Sequence, residues 1–214
     1  MTQTHTEDYQ HADGRGARLT FAEPDGSVRG GLVVLHAGVT DTVRLLVAGL
    51  AGEGWLAVAP HIGEDGAALS GQDVLAATDV TLAWLVERGV RADLIGVVGF
   101  DVGGSAALVV AASRQLGAAV SVGGRGISAP VSDELPPLVE IAGRLTSPWL
   151  GMYGDDGDVA GELEVERLQE AASSSKVATN VVRYPGASHR FDADPDAAAE
   201  AWQRTLSWFD AHLR

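Results

Sequence analysis

Short apolar runs separated by helix-length stretches decide what this chain can fold into. Six runs have the aliphatic, β-branched character of buried strands: Leu32–His36, Trp55–Ala59, Leu94–Gly99, Ala118–Val122, Trp149–Tyr153 and Ala178–Tyr184. A strand that is apolar on both faces needs cover on both faces, and strands joined through helices run parallel. The alternation therefore predicts a mostly parallel central sheet with helices on both sides.

The stretches between the runs carry helical periodicity. Asp41–Gly52 sets Val43, Leu46, Val47 and Leu50 on one face, and Val74–Arg88 repeats Val74, Ala77, Thr81 and Leu85. Ser105–Leu116 is apolar nearly all round, as suits a helix buried against a sheet. Leu163–Ala172 reads as a surface helix, and Asp196–Leu213 turns Trp202, Leu206 and Phe209 inward. Ahead of the first strand, YQHADGRGARLTFAEP reads as a hairpin turning at Asp13-Gly14. Residues 1–6 are expected to be a loose tail, and 7–214 one domain, since 214 residues suit a single large core. Segment 123–147 contains Pro130, Pro136 and Pro137 and is too short for a cap domain.

Composition removes several function classes. A net charge of −14 argues against nucleic acid and against anionic membranes, both of which attract basic surfaces. With no cysteine there is no disulfide, no thiolate catalysis and no Cys-ligated zinc. The N-terminal stretch MTQTHTEDYQHADGRG has no apolar core, so it does not read as a signal peptide, and no apolar run reaches the length of a bilayer span. The expectation is a cytoplasmic protein with a small-molecule substrate, no cofactor and no metal. Oligomeric state is left open.

The strongest local signal is Gly99-Phe100-Asp101-Val102-Gly103-Gly104, which ends a strand and opens a helix. This is the small-x-nucleophile-x-small pattern of a nucleophile elbow, whose turn is so tight that side chains flanking the central residue would collide. The central residue is expected at strained backbone angles, near a helix N-terminus that favours an anion. Aspartate is also among the best helix N-caps, so a strand-Gly-x-Asp-helix junction needs no chemistry. A second signal is Tyr184-Pro185-Gly186-Ala187-Ser188-His189-Arg190-Phe191. His5 and His11 lie in or near the tail, His212 on the last helix, and His36 and His61 end strands. Only His189 sits in a loop after the last strand, where a triad of order nucleophile, acid, histidine places its base. A third signal, the run Gly154-Asp155-Asp156-Gly157-Asp158, fills the slot of the triad acid, although acidic turns at strand ends are common without function. Of these carboxylates, Asp156 and Asp158 are the candidates.

From about residue 9 the chain resembles the dienelactone hydrolase family, a minimal branch of the α/β-hydrolase fold. The resemblance rests on the hairpin, LVVLH, LAGEGWLAVAP, the elbow GFDVGG, the turn VGGRGI, MYGDD, and above all YPGASHRF, which matches the setting of the family's catalytic histidine. It implies an α/β-hydrolase fold without a cap domain, with an oxyanion hole from the backbone of Val102 and Gly38. The departures are specific. The family carries Cys or Ser where Asp101 stands, often Glu where Ala37 stands, and Pro-Asp where Pro60-His61 stands. An ungapped comparison also sets Gly157 at the acid position.

An aspartate at the elbow resembles that of haloalkane dehalogenases and epoxide hydrolases. There a carboxylate displaces a leaving group from saturated carbon, and a histidine then activates water to hydrolyse the enzyme ester. Arg125, in the glycine turn, reads either as a pocket residue holding an anionic substrate or as a solvated loop arginine. Two readings follow. In the first, the chain is a hydrolase of dienelactone-hydrolase type acting on a small, anionic molecule, on an ester, a lactone or a carbon–leaving-group bond, through Asp101, His189 and Asp156 or Asp158. In the second it is an inactive α/β-hydrolase-fold protein serving as a ligand-binding or interaction module.

Overall fold

The computed structural model describes residues 2–63, 70–155, 161–187 and 194–214. Eight strands form one sheet: β1 (His5–Gln10), β2 (Gly16–Ala22), β3 (Gly31–Leu35), β4 (Leu56–Pro60), β5 (Ile95–Phe100), β6 (Ala118–Val122), β7 (Trp149–Asp155) and β8 (Thr179–Pro185). Their order is β1-β2-β4-β3-β5-β6-β7-β8. β2 is antiparallel to both β1 and β4, and every other pair is parallel. The six strands read from apolar runs each fall within one residue of their expected starts, and the expected hairpin closes between β1 and β2 with Gly14 at φ 88°. One correction concerns the tail. β1 begins at His5, inside the segment expected to be loose, because its backbone pairs with β2 and Thr6 Oγ1 lies 2.9 Å from Thr20 Oγ1.

Helices cover both faces as the alternation requires. On one face α2 (Gly71–Glu87), α3 (Val102–Ser113) and α5 (Glu162–Ser173) pack over Val33, Leu35, Val97, Ala119, Trp149 and Tyr153. On the other, α1 (Asp41–Gly52) and α6 (Pro195–His212) pack over Leu32, Val34, Val98, Val120, Leu150 and Met152. Consecutive strand residues point to opposite layers, so each strand feeds both cores. Each fully buried Val, Leu, Ile or Phe side chain contributes about 1.5–3 kcal/mol, which is why these continuous apolar runs hold the sheet at the centre.

Segment 123–147 holds a short helix α4 (Leu138–Ile141), a single 3-10 turn (Ala142–Arg144) and an isolated bridge between Ser132 and Leu135. Among the described residues no cap domain is inserted over the sheet edge. The strand order reverses between β3 and β5, where β4 lies to one side and β6 to the other. In open α/β sheets such a switch point leaves a crevice at the carboxyl ends of the strands, and the residues after β3 and β5 line it.

Candidate active site

β5 delivers the chain into the elbow, and the elbow's shape follows from close backbone contact. A Cβ on Gly99 would stand 1.9 Å from the carbonyl oxygen of Gly103, and a Cβ on Gly103 would stand 2.3 Å from that of Leu35. Both positions therefore exclude every other residue unless the backbone moves. Between them Asp101 sits at φ 56°, ψ −121°, and it alone among the described non-glycine residues has positive φ. Its N–H donates to Val122 O at 3.0 Å, and its carbonyl accepts from Gly104 N at 2.9 Å and Ser105 N at 3.2 Å. Such a conformation costs on the order of 1–3 kcal/mol and persists only where the surroundings impose it.

The capping explanation for Asp101 fails. The residue occupies the N-cap position of α3, yet its side chain accepts no hydrogen bond from the helix amides. The same chain shows what capping looks like elsewhere. Ser70 Oγ accepts from Asp73 N at 3.0 Å ahead of α2, and Asp194 Oδ1 accepts from Asp196 N at 3.0 Å and Ala197 N at 3.1 Å ahead of α6. The Asp101 carboxylate turns instead to Arg125, whose Nε donates to Asp101 Oδ1 in an ion pair. Asp101 is about one quarter exposed and Arg125 about half. Arg125 is thus a half-exposed loop residue whose partner among the described residues is the elbow carboxylate.

Arg125 is held where it is by its own backbone. Its carbonyl accepts from Ser105 Oγ at 2.6 Å, and the next carbonyl, on Gly126, accepts from Leu138 N at 3.0 Å. Beneath the elbow Ser121 Oγ donates to Gly104 O at 2.7 Å and accepts from Trp149 Nε1 at 2.9 Å, with Ser121 and Trp149 fully buried. Tyr153 is also buried, its hydroxyl has no partner among the described residues, and a Cβ on Gly124 would lie 3.3 Å from it. Burial pushes this phenol well above its ordinary pKa.

The remaining candidates divide by position. Val102 is the first residue of α3, where helix geometry leaves the amide without an internal partner. Gly38, at φ 69°, follows β3, and the register pairing Leu35 with Gly99 brings that loop to the elbow. His189, Asp156 and Asp158 lie outside the described residues. The strands that precede them end side by side, with Asp155 of β7 paired to Pro185 of β8.

Sequence reasoning passed over His36 as a strand end. Its ring packs against Phe100 with centroids 5.8 Å apart, and its Nδ1 lies 3.0 Å from Ala37 O, which places the proton on Nδ1. Under Phe100, between the sheet and helices α1 and α6, a largely apolar cavity of about 160 Å³ is lined by Leu46, Val98, Val122, Ala201, Trp202 and Thr205. Among the described residues no group of three His, Asp or Glu side chains is arranged to hold a metal.

The sequence model of the dienelactone hydrolase family matches residues 18–213, nearly the whole sheet with its helices. The chain belongs to the dienelactone hydrolase family. A Salmonella typhimurium protein provisionally named carboxymethylenebutenolidase is 30% identical over 217 residues, covering 88% of this chain and 80% of that protein. The carboxymethylenebutenolidase of Rhodococcus opacus is 32% identical over 204 residues, covering 82% of this chain and 78% of the relative. A crystal structure from Klebsiella pneumoniae, provisionally named a dienelactone hydrolase, superposes with a TM-score of 0.83 at 29% identity, covering 97% of this chain and 99% of that one. Family membership and these relatives support hydrolysis of a small molecule as the general activity. In this chain the elbow carboxylate is paired to the guanidinium of Arg125.

Proposed function

We propose that this chain is a hydrolase of a small, anionic molecule in which Asp101 is the attacking group and His189 the base, oriented by Asp156 or Asp158. The observation that carries the reading is the state of Asp101. Its backbone is held at a costly positive φ, and its carboxylate is withheld from the helix amides that a cap would use. A strained carboxylate at the switch point of the sheet is what nucleophilic attack requires.

The chemistry follows from what a carboxylate can do. Attack on an ester would give an anhydride, whereas attack on saturated carbon gives a stable enzyme ester and expels a leaving group. Water, deprotonated by His189, then adds to the carbonyl carbon of that ester, and the amides of Val102 and Gly38 receive the developing oxyanion. On a lactone or simple ester, Asp101 would orient water together with His189. Asp156 is the favoured partner for His189 because it directly follows the end of β7.

A second reading, a ligand-binding module without turnover, is favoured by one observation: the guanidinium of Arg125 already occupies an oxygen of Asp101. A panel of esters, lactones, haloacids and epoxides, assayed with wild type and with Asp101→Asn, separates the two. Turnover lost in the variant supports the hydrolase. No turnover of any class, with Asp101→Ala still binding ligand and still folded, supports the module.

A further inference from the structure

We infer that the cavity beneath Phe100 is a ligand site in its own right, one that takes a neutral hydrocarbon the size of a single ring. It does not depend on the reaction at Asp101. Each element around it contributes one face. Val98 and Phe100, two apart on β5, point to the same side of the sheet, and the register sets Phe100 beside Val122 of β6. Opposite them α6 contributes Ala198, Ala201 and Thr205, spaced by three and four residues along one stripe of the helix. Leu46 of α1 and the indole of Trp202 complete the wall. Trp202 reaches across to α1, its ring edge 3.6 Å from where a Cβ on Gly49 would stand. The void exists because α6 sets alanines over this part of the sheet. One turn beyond Thr205 the same stripe carries Phe209, which packs down so closely on β5 that a Cβ on Gly96 would lie 2.7 Å from its ring.

Volume and lining set the class of ligand. The cavity holds about 160 Å³, several times the share of one water and well below the roughly 300–1,000 Å³ of a site for a drug-sized molecule. An apolar cavity of about 150 Å³ stays dry and takes up benzene. No charged side chain lines this one among the described residues, and the only polar side-chain atoms there are the Thr205 hydroxyl and the Trp202 N–H. The hydroxyl gives its proton to the carbonyl of Ala201 at 2.8 Å. A buried water needs two to four polar partners, so water is held poorly, whereas a hydrocarbon restores the dispersion contacts that the empty walls lack. The entrance can be read from exposure. Val98, Val122, Ala201 and Thr205 are buried, Leu46, Phe100 and Trp202 are partly open, and Ala198 is exposed. A ring therefore enters past Ala198 and comes to rest on Val98 and Val122.

The test titrates benzene into wild type, Ala201→Leu and Leu46→Ala by calorimetry, with benzoate as the charged counterpart. Wild type should show a single saturable benzene site. Benzoate should bind roughly 10-fold more weakly or worse, because its charge would be buried unpaired. Ala201→Leu, whose side chain grows into the void, should lose roughly 10-fold or more in benzene affinity. Leu46→Ala works in the opposite sense. It enlarges the void, so affinity for para-xylene relative to benzene should rise roughly 10-fold, a gain that misfolding cannot imitate. Circular dichroism on both variants checks the fold, and if Ala201→Leu does not fold, the ratio in Leu46→Ala decides alone. Benzene uptake that never saturates, or benzoate binding as well as benzene, would overturn the inference. So would equal benzene affinity in wild type and folded Ala201→Leu, or an unchanged ratio in Leu46→Ala.

Discussion

The guanidinium of Arg125 donates through Nε to Oδ1 of Asp101, across a gap of 24 residues in sequence. The pair is half open to solvent on the arginine side, so it contributes at most about 1 kcal/mol to stability. Arg125→Gln should therefore shift Tm by no more than about 2–4 °C while changing turnover of an anionic substrate far more. Thermal unfolding beside kcat/KM checks this, and a large loss of stability would recast the pair as structural.

Strain at Asp101 gives a second expectation. Asp101→Gly relieves a conformation costing about 1–3 kcal/mol, against roughly 0.5–1 kcal/mol for the freer unfolded chain. The variant should be inactive and yet more stable than wild type by about 1 kcal/mol. Asp101→Ala keeps the strain and should show no such gain. Chemical denaturation of the three proteins decides it, and a glycine variant weaker than wild type would mean that the elbow is not strained.

Much of this architecture is legible in the sequence, and the parts that are not have identifiable causes. The strands are visible because burial on both faces demands unbroken apolar runs such as Leu32–Leu35. The helix after the elbow starts at Val102, three residues before its expected start, because Gly103, packed against Leu35, and Gly104, packed against Gly124 and Val122, hide a first turn that lacks an apolar pattern. His5 and Thr6 look like tail because β1 is an edge strand with a polar pattern, held by backbone pairing that composition does not reveal. Asp101 is expected from the elbow motif and Gly38 from the resemblance, and the register of β3 with β5 brings their loops to the same edge of the sheet. The contact between Asp101 and Arg125 was not legible, since it depends on the register that sets Phe100 beside Val122.

The support beneath the elbow can be tested separately. Ser121 Oγ links Trp149 Nε1 to Gly104 O in a fully buried position. Ser121→Ala leaves a buried indole N–H without its acceptor and should cost about 1–3 kcal/mol. A double-mutant cycle with Trp149→Phe should recover part of that loss, because the orphaned donor is then gone. Strict additivity would show that the two side chains do not act as a unit.

Alkaline behaviour should report Tyr153. Burial raises its pKa in the folded protein above the ordinary value of 10.0, so the unfolded chain loses the proton first. The associated stability is complete below pH 10 and falls as pH climbs through the folded value. Tyr9, pushed up to about 12 by burial and by Glu87, acts in the same direction, so one substitution removes only part of the effect. Tyr153→Phe should be at least as stable as wild type at pH 8, having lost a buried hydroxyl without a partner among the described residues, and should lose less stability between pH 9 and 11. Denaturation midpoints across that range measure it, and identical pH profiles would contradict the assignment.

Whether Asp101 forms a bond to substrate is the centre of the account, and a single turnover in oxygen-18 water addresses it directly. With enzyme in excess over a substrate found by screening, water attacks the aspartyl carbon, and the product takes its oxygen from the enzyme. The heavy isotope should appear in the peptide containing Asp101, as a mass increase on that carboxylate, while the first product molecule stays light. Label passing straight into product, with Asp101 unlabelled, would contradict the account and make Asp101 a group that only positions water.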